Sequence, residues 1–555
     1  MNLFRRGACL TTLSVLVGLG PTVLSAQPNN VTTLIGQNIT GIFYGGSVTN
    51  SAALPPDGNG AVGPTTYVEF INGAFAIYSK TDGHQIRFST DVDFWANAKV
   101  PLDASFEVTD PRIIYDPVSQ RWFASMVDVD VFTQILDNML GTNDFLLAVS
   151  ATSDPNGEWY GTLFQADPVD GNFADFPTLG VDSQGVYLSG DMFDSLADPT
   201  TAPPVGCALT SFPKADVLNS NFNTSTFFPT MQYSARGQVL QPAICWDGGS
   251  TGTVLAAGDI GNTSAPHSNL VTWAVQNVST PIATISPSVF ITVPSYMVPD
   301  NADVGAPVLV PKQPDGTTNL MANDARLSAK VYSLGGVLYA VHNTELNGRI
   351  AIRWYRIHAA DGVLLEAGTI ADTNLDLFFP SIAANPQGTV VIGCNGSSIN
   401  TYVSAFAFVG MTINGVTTFG SPILLKSGVT SYHGDDEGLI TPDSRWGDYS
   451  TTSLDPVDPN RFWTLQLFAA DTDVWATQIT ELITTQTPLA VSRAGTNVTL
   501  SWSALFSGYQ LESAPNLAPP VSWSLVSQTP VTNAGRVSVT TPISGRQKFF
   551  KLVHP

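Results

Sequence analysis

The chain has 555 residues, 43% of them hydrophobic and only 12% charged, which excludes an intrinsically disordered protein and leaves room for a large core plus a second domain. Its 47 glycines and 38 prolines are spread through Thr, Val, Ser and Asn, the chemistry of turns and strands, so an all-β fold is expected. The formal charge of −22 excludes nucleic acid and anionic bilayers as partners and favours cations and neutral or basic ligands, although an acidic surface also simply keeps an exported protein soluble.

Residues 1–26 start with Arg5 and Arg6, continue through the apolar run Ala8 to Leu19 and end in the small residues Ser25 and Ala26. That is the pattern of a secretory signal peptide cleaved after Ala26, and its loss takes the net charge from −22 to −24. No later stretch is long and apolar enough to span a bilayer, so a secreted or cell-surface protein is expected, acting as a monomer. Cys9 leaves with the signal. Of Cys207, Cys245 and Cys394, only the first two, in successive repeats, are placed to form a disulfide, and buried thiols are expected instead.

Val31 to Phe43 (VTTLIGQNITGIF) reads as a lone strand. After it, one plan recurs seven times: an apolar strand, a tight turn on Asp, Asn or Gly, and a second apolar strand. The turns fall near Gly63, Asp116, Asp182, Asp247, Tyr332, Asn385 and Asp455, between 53 and 85 residues apart. A hairpin of this kind buries neither face alone, so the units must pack on one another, and a radial array of seven small sheets fits. Further strands complete most units, among them AFAIYSKT and QIRFSTDVDFW in the first, and IAIRWYRIHAA and VLLEAGTIA in the fifth. The seventh unit ends early, near Leu482, and the strand from Val31 is expected to supply its missing outer strand and close the ring. The expected fold is therefore a seven-bladed β-propeller over about residues 30–483, followed by a small Ig-like β-sandwich over about 486–555. In that tail Val498, Leu500 and Trp502 alternate, as do Val537 and Val539, so one face of each strand is buried.

The tail sequence GYQLESAPNLAPPVSWSLV, followed by KFFKLV, resembles the C-terminal Ig-like or fibronectin-like module of many large exported bacterial proteins. Upstream, DPRIIYDPVSQRWF, DFPTLGVD and RWGDYSTTSLDPVDPNRFW are similar to segments of exported bacterial propeller proteins. Thr152 to Trp159 (TSDPNGEW) resembles the Asp-box turn of sialidases and related propellers, with its glycine one place late. These resemblances imply fold and export. They carry no catalytic residues onto this chain.

In a four-stranded blade, the start of the innermost strand and the end of the second lie on one face of the disc. Two polar sets share that face. Asp57, Asp110, Asp175, Gln241, Asp324 and Asp448 precede inner strands, with Arg112, Arg326 and Arg445 close by. Asn72, Asp128, Asp191, Asp259, Asn343, Asn395 and Asp471 end second strands. If they converge on the channel mouth they frame a polar site, and the ligand-binding set is read as Asp57, Asp110, Arg112, Asp175, Asp191, Asp259, Arg326, Arg445 and Asp448. Asp and Asn at strand ends also bond local backbone and shape turns, with no ligand involved.

The leading functional reading is an extracellular glycan or protein bound through this acidic face. The alternative is a glycan-cleaving hydrolase with Asp110, Asp175 and Asp448 as candidate catalytic carboxylates. A sialidase-like variant would use Arg112, Arg326 and Arg445 as a clamp for a carboxylate, with Tyr449 nearby. For metal, the acidic loop with Asp435, Asp436 and Glu437 is the candidate and calcium is the cation it would take, although its spacing is not that of an EF-hand. Gly58 to Gly63 (GNGAVG) matches a dinucleotide-binding string, but a strand and not a helix follows, so it is a turn.

Overall fold

A computed structural model describes residues 15–18, 31–46, 49–103, 105–199, 201–249, 252–262, 265–280, 282–299, 309–317, 320–434, 444–485, 489–504, 509–517, 521–533, 536–542 and 547–553. They fall into two compact units, Ile35–Phe408 with Ser421–Leu482 forming the larger and Ile483–Pro555 belonging to the smaller. The larger is a seven-bladed β-propeller.

Each of the first six blades is built on antiparallel strands that follow in chain order from the channel outward, and the seventh takes its outer strand from the start of the chain. The first contains Asn59–Val62, Thr66–Ile71, Ala74–Ser79 and Gln85–Ser89, and the second Phe106–Asp116, Arg121–Asp130, Asp144–Ser150 and Trp159–Gln165. The third runs through Phe173–Val181, Gly185–Phe193, Pro204–Pro213 and Thr226–Met231. The fourth and fifth start from Gln238–Pro242 and Tyr332–Leu334, the sixth from Asp376–Ala384 and the seventh from Thr451–Leu454. The hairpin turns sit where the repeat predicts, except that in the fifth blade Tyr332 opens the strand and the turn falls just after it, at Gly335 and Gly336.

Bonds between neighbouring blades close these sheets into a ring. Ile113 N donates to Asn59 Oδ1 across the first and second blades, and Arg112 Nε to Pro177 O across the second and third. Thr178 Oγ1 donates to Leu240 O, Gln241 Nε2 to Leu327 O, and Ile350 N to Asp376 Oδ1, carrying the chain of contacts to the sixth blade. Ser381 pairs with Thr452, and Asp448 N donates to Asp57 Oδ1, which returns the ring to the first blade.

The seventh blade holds three strands from the end of the ring, Thr451–Leu454, Arg461–Asp471 and Val474–Thr485, and takes Thr32–Phe43 as its outer strand. Tyr44 N donates to Trp475 O and Thr40 Oγ1 to Gln478 Oε1, partners that step in opposite directions along the two strands. A fully buried carboxylate fastens this closure. Glu69, on the second strand of the first blade, accepts from Ile42 N on the closing strand, from Thr477 on the seventh blade and from Tyr78 in its own blade. Burial pushes its pKa up to about 7.

Three details depart from the sequence reading. DVDFW continues not as strand but as the helix Asp91–Asn97, because Thr90 caps it by accepting Asp93 N and its Phe94 and Trp95 fill a core between the first two blades. Ile244–Cys245 leaves the fourth blade and pairs in parallel with Tyr332–Ser333 of the fifth. The sixth blade adds a hairpin strand, Val416–Phe419, on the same long third strand that pairs Ile423–Lys426.

The smaller unit is a β-sandwich of two four-stranded sheets. One contains Ala490–Ala494, Asn497–Ser503, Arg536–Pro542 and Val531–Asn533, and the other Gln510–Ala514, Ser524–Leu525 and Gln547–Val553, with Val15–Gly18, from the stretch expected to leave as a signal peptide, added at the edge beside Gln547–Val553. The alternating residues predicted to be internal, Val498, Leu500, Trp502, Val537 and Val539, form its core with Leu511, Phe550 and Leu552.

Cys207, Cys245 and Cys394 are free and buried, and burial raises the Cys245 thiol to about 12. A thiol reagent should therefore label the native protein slowly at these three positions and all of them rapidly in denaturant, with no mobility difference between reduced and non-reduced samples on a gel.

Candidate functional site at the channel mouth

The inner strands share a backbone feature that hydrophobic patterning does not reveal. Each blade carries one residue at positive φ within or ahead of its inner strand: Asp57 (47°), Asp110 (61°), Phe176 (51°), Val239 (54°), Asn323 (64°, nine residues before Tyr332), Phe379 (47°) and Gly447 (143°). Asp and Asn tolerate this region, but for Phe and Val it is a costly conformation that surrounding structure must impose. Register shifts accompany it between Thr109 and Arg112, Asp175 and Thr178, Gln238 and Gln241, and Phe378 and Ser381. Seven kinks, four of them bulged, thus rim the channel, and those of the first, second, third, fifth and seventh blades set residues at its mouth.

There they line a cavity of about 230 Å³, room for about seven waters or one sugar-sized unit. Asp57, Asp110, Asp175, Arg326, Arg445 and Asp448 border it, as do Phe176 and Asn323. Asn72 organises the acidic side: its Nδ2 donates to Asp57 Oδ2 at 2.8 Å and to Pro55 O, while its Oδ1 accepts Asp110 N at 2.9 Å. Oxygens of Asp57, Asp110 and Asp448 lie within 4.8 Å of one another, and the Asp57 and Asp110 carboxyls are hydrogen-bonded together.

Such crowding has an electrostatic cost. Burial, reinforced by Asp448, raises Asp57 to about 7; burial, reinforced by Asp57 and Asp448, holds Asp110 well above the carboxylate range. Asp175 also rises to about 7, through burial and then Asp110 and Asp448. Near neutrality this side of the cavity therefore keeps protons and presents hydroxyl donors beside carboxylate acceptors. At the edge of this group Arg445 donates to Asp448 at 3.4 Å, and elsewhere in the lining Arg326 grips Asp324 through Nε and Nη2, both at 2.8 Å.

The other predicted residues lie elsewhere. Arg112 is buried in the channel beyond this lining, where it donates to Pro177 O and Ser328 O and its guanidinium stacks 3.5 Å from the Tyr449 ring. Asp191 accepts Val239 N at 3.3 Å and so holds one of the kinks. Asp259 is exposed and accepts Gly261 N, a local turn bond. Most second-strand ends serve the backbone in the same way: Asn343 donates to Ala322 O, Asn395 to Leu467 O, and Asp128 accepts Asp144 N. The three arginines accordingly do not form one clamp, since Arg112 is committed to carbonyls and the other two each hold an aspartate. Asp435, Asp436 and Glu437 lie outside the described residues. The Asp57, Asp110 and Asp448 carboxyls bring oxygens within 4.8 Å of one another, a grouping of hard oxygen ligands, but the Arg445 guanidinium bonded to Asp448 at 3.4 Å opposes a cation there. Phe176 and Asn323 were not singled out from sequence; a DFP or MAND stretch carries no signal for left-handed backbone at a channel mouth.

No protein-family model matches the chain, and no curated protein sequence is similar to it. Among solved structures, a protein of unknown function from Dyadobacter fermentans is similar at 12% identity, over 69% of this chain and 96% of that one, with a TM-score of 0.34. The GH43 endo-arabinanase from Bacillus licheniformis aligns at 11% identity over 66% and 98% of the two chains, TM-score 0.29. The Trypanosoma rangeli sialidase in complex with sialic acid aligns at 9% identity over 89% and 96%, TM-score 0.33. The propeller assignment rests on this chain's own sheet order and ring of inter-blade bonds.

Proposed function

We propose that this is an exported, monomeric binding protein that recognises an extracellular glycan, holding one sugar unit in the channel-mouth cavity. The observation that carries the reading is the lining itself: carboxyls kept partly protonated, carboxylates and an amide converge on a space the size of one polyhydroxylated ring. Vicinal hydroxyls need donors and acceptors side by side, and this arrangement offers both. Retaining glycosidases hold their two carboxyls about 5 to 5.5 Å apart and inverting ones about 6.5 to 9.5 Å. Asp110 and Asp448 place oxygens within 4.8 Å of each other, close to the retaining separation, which makes hydrolysis the second reading.

The test is to incubate residues 27–555 with a panel of polysaccharides, measuring retention and, by mass spectrometry, any soluble products. Retention without shortened chains is expected. Asp110→Asn keeps a residue that tolerates positive φ and removes the shared proton, so it should weaken retention about ten-fold or more with little change in unfolding midpoint. Shortened sugars released by the wild type and lost in Asp110→Asn would replace this reading with hydrolysis.

A further inference from the structure

A second concavity, of about 490 Å³ and so about twice the central one, lies on the sixth blade, and none of its residues lines the channel-mouth cavity. Asn374, Asn400, Thr401, Tyr402, Leu424 and Ser427 border it. Strand direction puts it on the face where the central cavity opens. Inner strands start at that face, second strands return to it, third strands leave it and outer strands come back. Asn374 precedes the inner strand Asp376–Ala384, Asn400 and Thr401 join Thr389–Ser398 to the third strand Thr401–Ile413, and Ser427 follows Ile423–Lys426. Three strand spacings of about 4.8 Å separate the inner and outer strands of a blade, about 14 Å in all.

The lining has the chemistry of a surface that meets sugar. The Tyr402 ring and the Leu424 side chain are 37% and 48% exposed and set an aromatic face beside an aliphatic one in a concave site. Around them the amides of Asn374 and Asn400 and the hydroxyls of Thr401, Tyr402 and Ser427 have no hydrogen-bond partner among the described residues. The acidic residue of the groove, Asp372, already accepts Asn374 N and Leu375 N through Oδ1. An anionic ligand would meet no cation among these residues. A neutral ring, by contrast, stacks its C–H face on Tyr402 and shares its hydroxyls with amides that both donate and accept.

We infer that this groove is a second saccharide subsite, taking neutral sugar units from the same glycan chain whose end occupies the channel mouth. The inference rests on the glycan reading of that mouth and extends it from one unit to a chain crossing the sixth blade. Affinity electrophoresis through gels containing hydroxyethylcellulose, xylan, mannan or dextran, with calorimetry on the matching mono- and oligosaccharides, separates the two. Tyr402→Ala, an exposed position that should not disturb folding, is expected to weaken binding of the retained polymer about ten-fold while leaving the monosaccharide affinity unchanged; Asn400→Ala should act in the same direction. Asp110→Asn should weaken both. Polymer binding undiminished in both groove variants, but lost in Asp110→Asn, would overturn the groove and leave the mouth standing. A wild-type protein bound by no neutral polymer or oligosaccharide would overturn both, and retention on acidic polysaccharides alone would overturn the neutral-sugar assignment.

Discussion

Arg112→Ala should be the most destabilising single substitution in the propeller, costing about 3 to 5 kcal/mol. Arg112 leaves the inner strand of the second blade and crosses the channel. Its Nε donates to Pro177 O at 2.7 Å in the third blade, its Nη1 to Ser328 O at 3.1 Å beside the fifth, and its guanidinium stacks on Tyr449 beside the seventh. Tyr449 in turn donates to Pro111 O, next to Arg112 itself. Alanine would leave two buried carbonyls without a donor and open a space beside two aromatic rings. Lysine should rescue little, since a single ammonium does not reproduce the planar fork. Equilibrium urea unfolding, followed by circular dichroism, measures this. A loss below 1 kcal/mol would show that the blades hold together without the cross-channel tie.

Thermal unfolding should occur at higher temperature at pH 5.5 than at pH 8, a shift of roughly 5 °C. Glu69, Asp57, Asp128, Asp175 and Asp191 are raised to about 7 and Asp91 to about 6, in each case chiefly by burial. In the unfolded chain the same groups titrate near 4. Between those values the folded state binds more protons, so the stability these groups contribute is complete below about 4 and is lost as pH rises through 7. For Glu69, fully buried with no cation beside it, the loss amounts to about 3 kcal/mol. His342 opposes the trend: burial lowers it to about 3, so acidification to pH 5.5 charges it only in the unfolded chain, at a cost of about 1.4 kcal/mol. The buried Lys330, its pKa lowered by desolvation while its ammonium donates to Gly60 O and Ile113 O, acts in the same sense as His342. Six carboxyls against these two give the expected sign. Glu69→Gln keeps the shape and one acceptor oxygen for Tyr78, and its amide can donate to Thr477, whose hydroxyl then donates to Ile42 O, so removing the titration should raise the midpoint at pH 8 and flatten the profile. Equal midpoints at the two pH values, in wild type and variant alike, would contradict this account of the closure.

The blades were legible in the sequence because a hairpin announces itself twice, through apolar strands and through the turn residue between them. Asp116, Asp182, Asn385 and Asp455 all accept backbone N–H groups in those turns, which is why the residue type recurs. Ring closure was legible for a different reason: a lone strand at one end matched a missing strand at the other. The site was only partly visible. Carboxylates ahead of inner strands marked Asp57, Asp110, Asp175 and Asp448, but the direction of each side chain depends on a backbone kink that sequence does not encode locally. Arg112 and Arg326 share one sequence context, two residues after an aspartate, yet one enters the channel interior and the other pairs with Asp324 at its rim. The helix at Asp91 was missed because DVDFW carries strand formers. Its Thr90 cap and the aromatic core awaiting Phe94 and Trp95 decide the matter in three dimensions.

The seven left-handed kinks have a consequence for how such a molecule can diversify. Each asks its own residue only to accept one backbone torsion, and the chain meets that demand with aspartate, phenylalanine, valine, asparagine and glycine alike. The frame that aims side chains at the mouth is therefore separable from the chemistry of the side chains it aims. A ring built this way behaves as a socket with exchangeable contacts: exchanges at the rim would alter what is recognised, while the blades behind it keep their register.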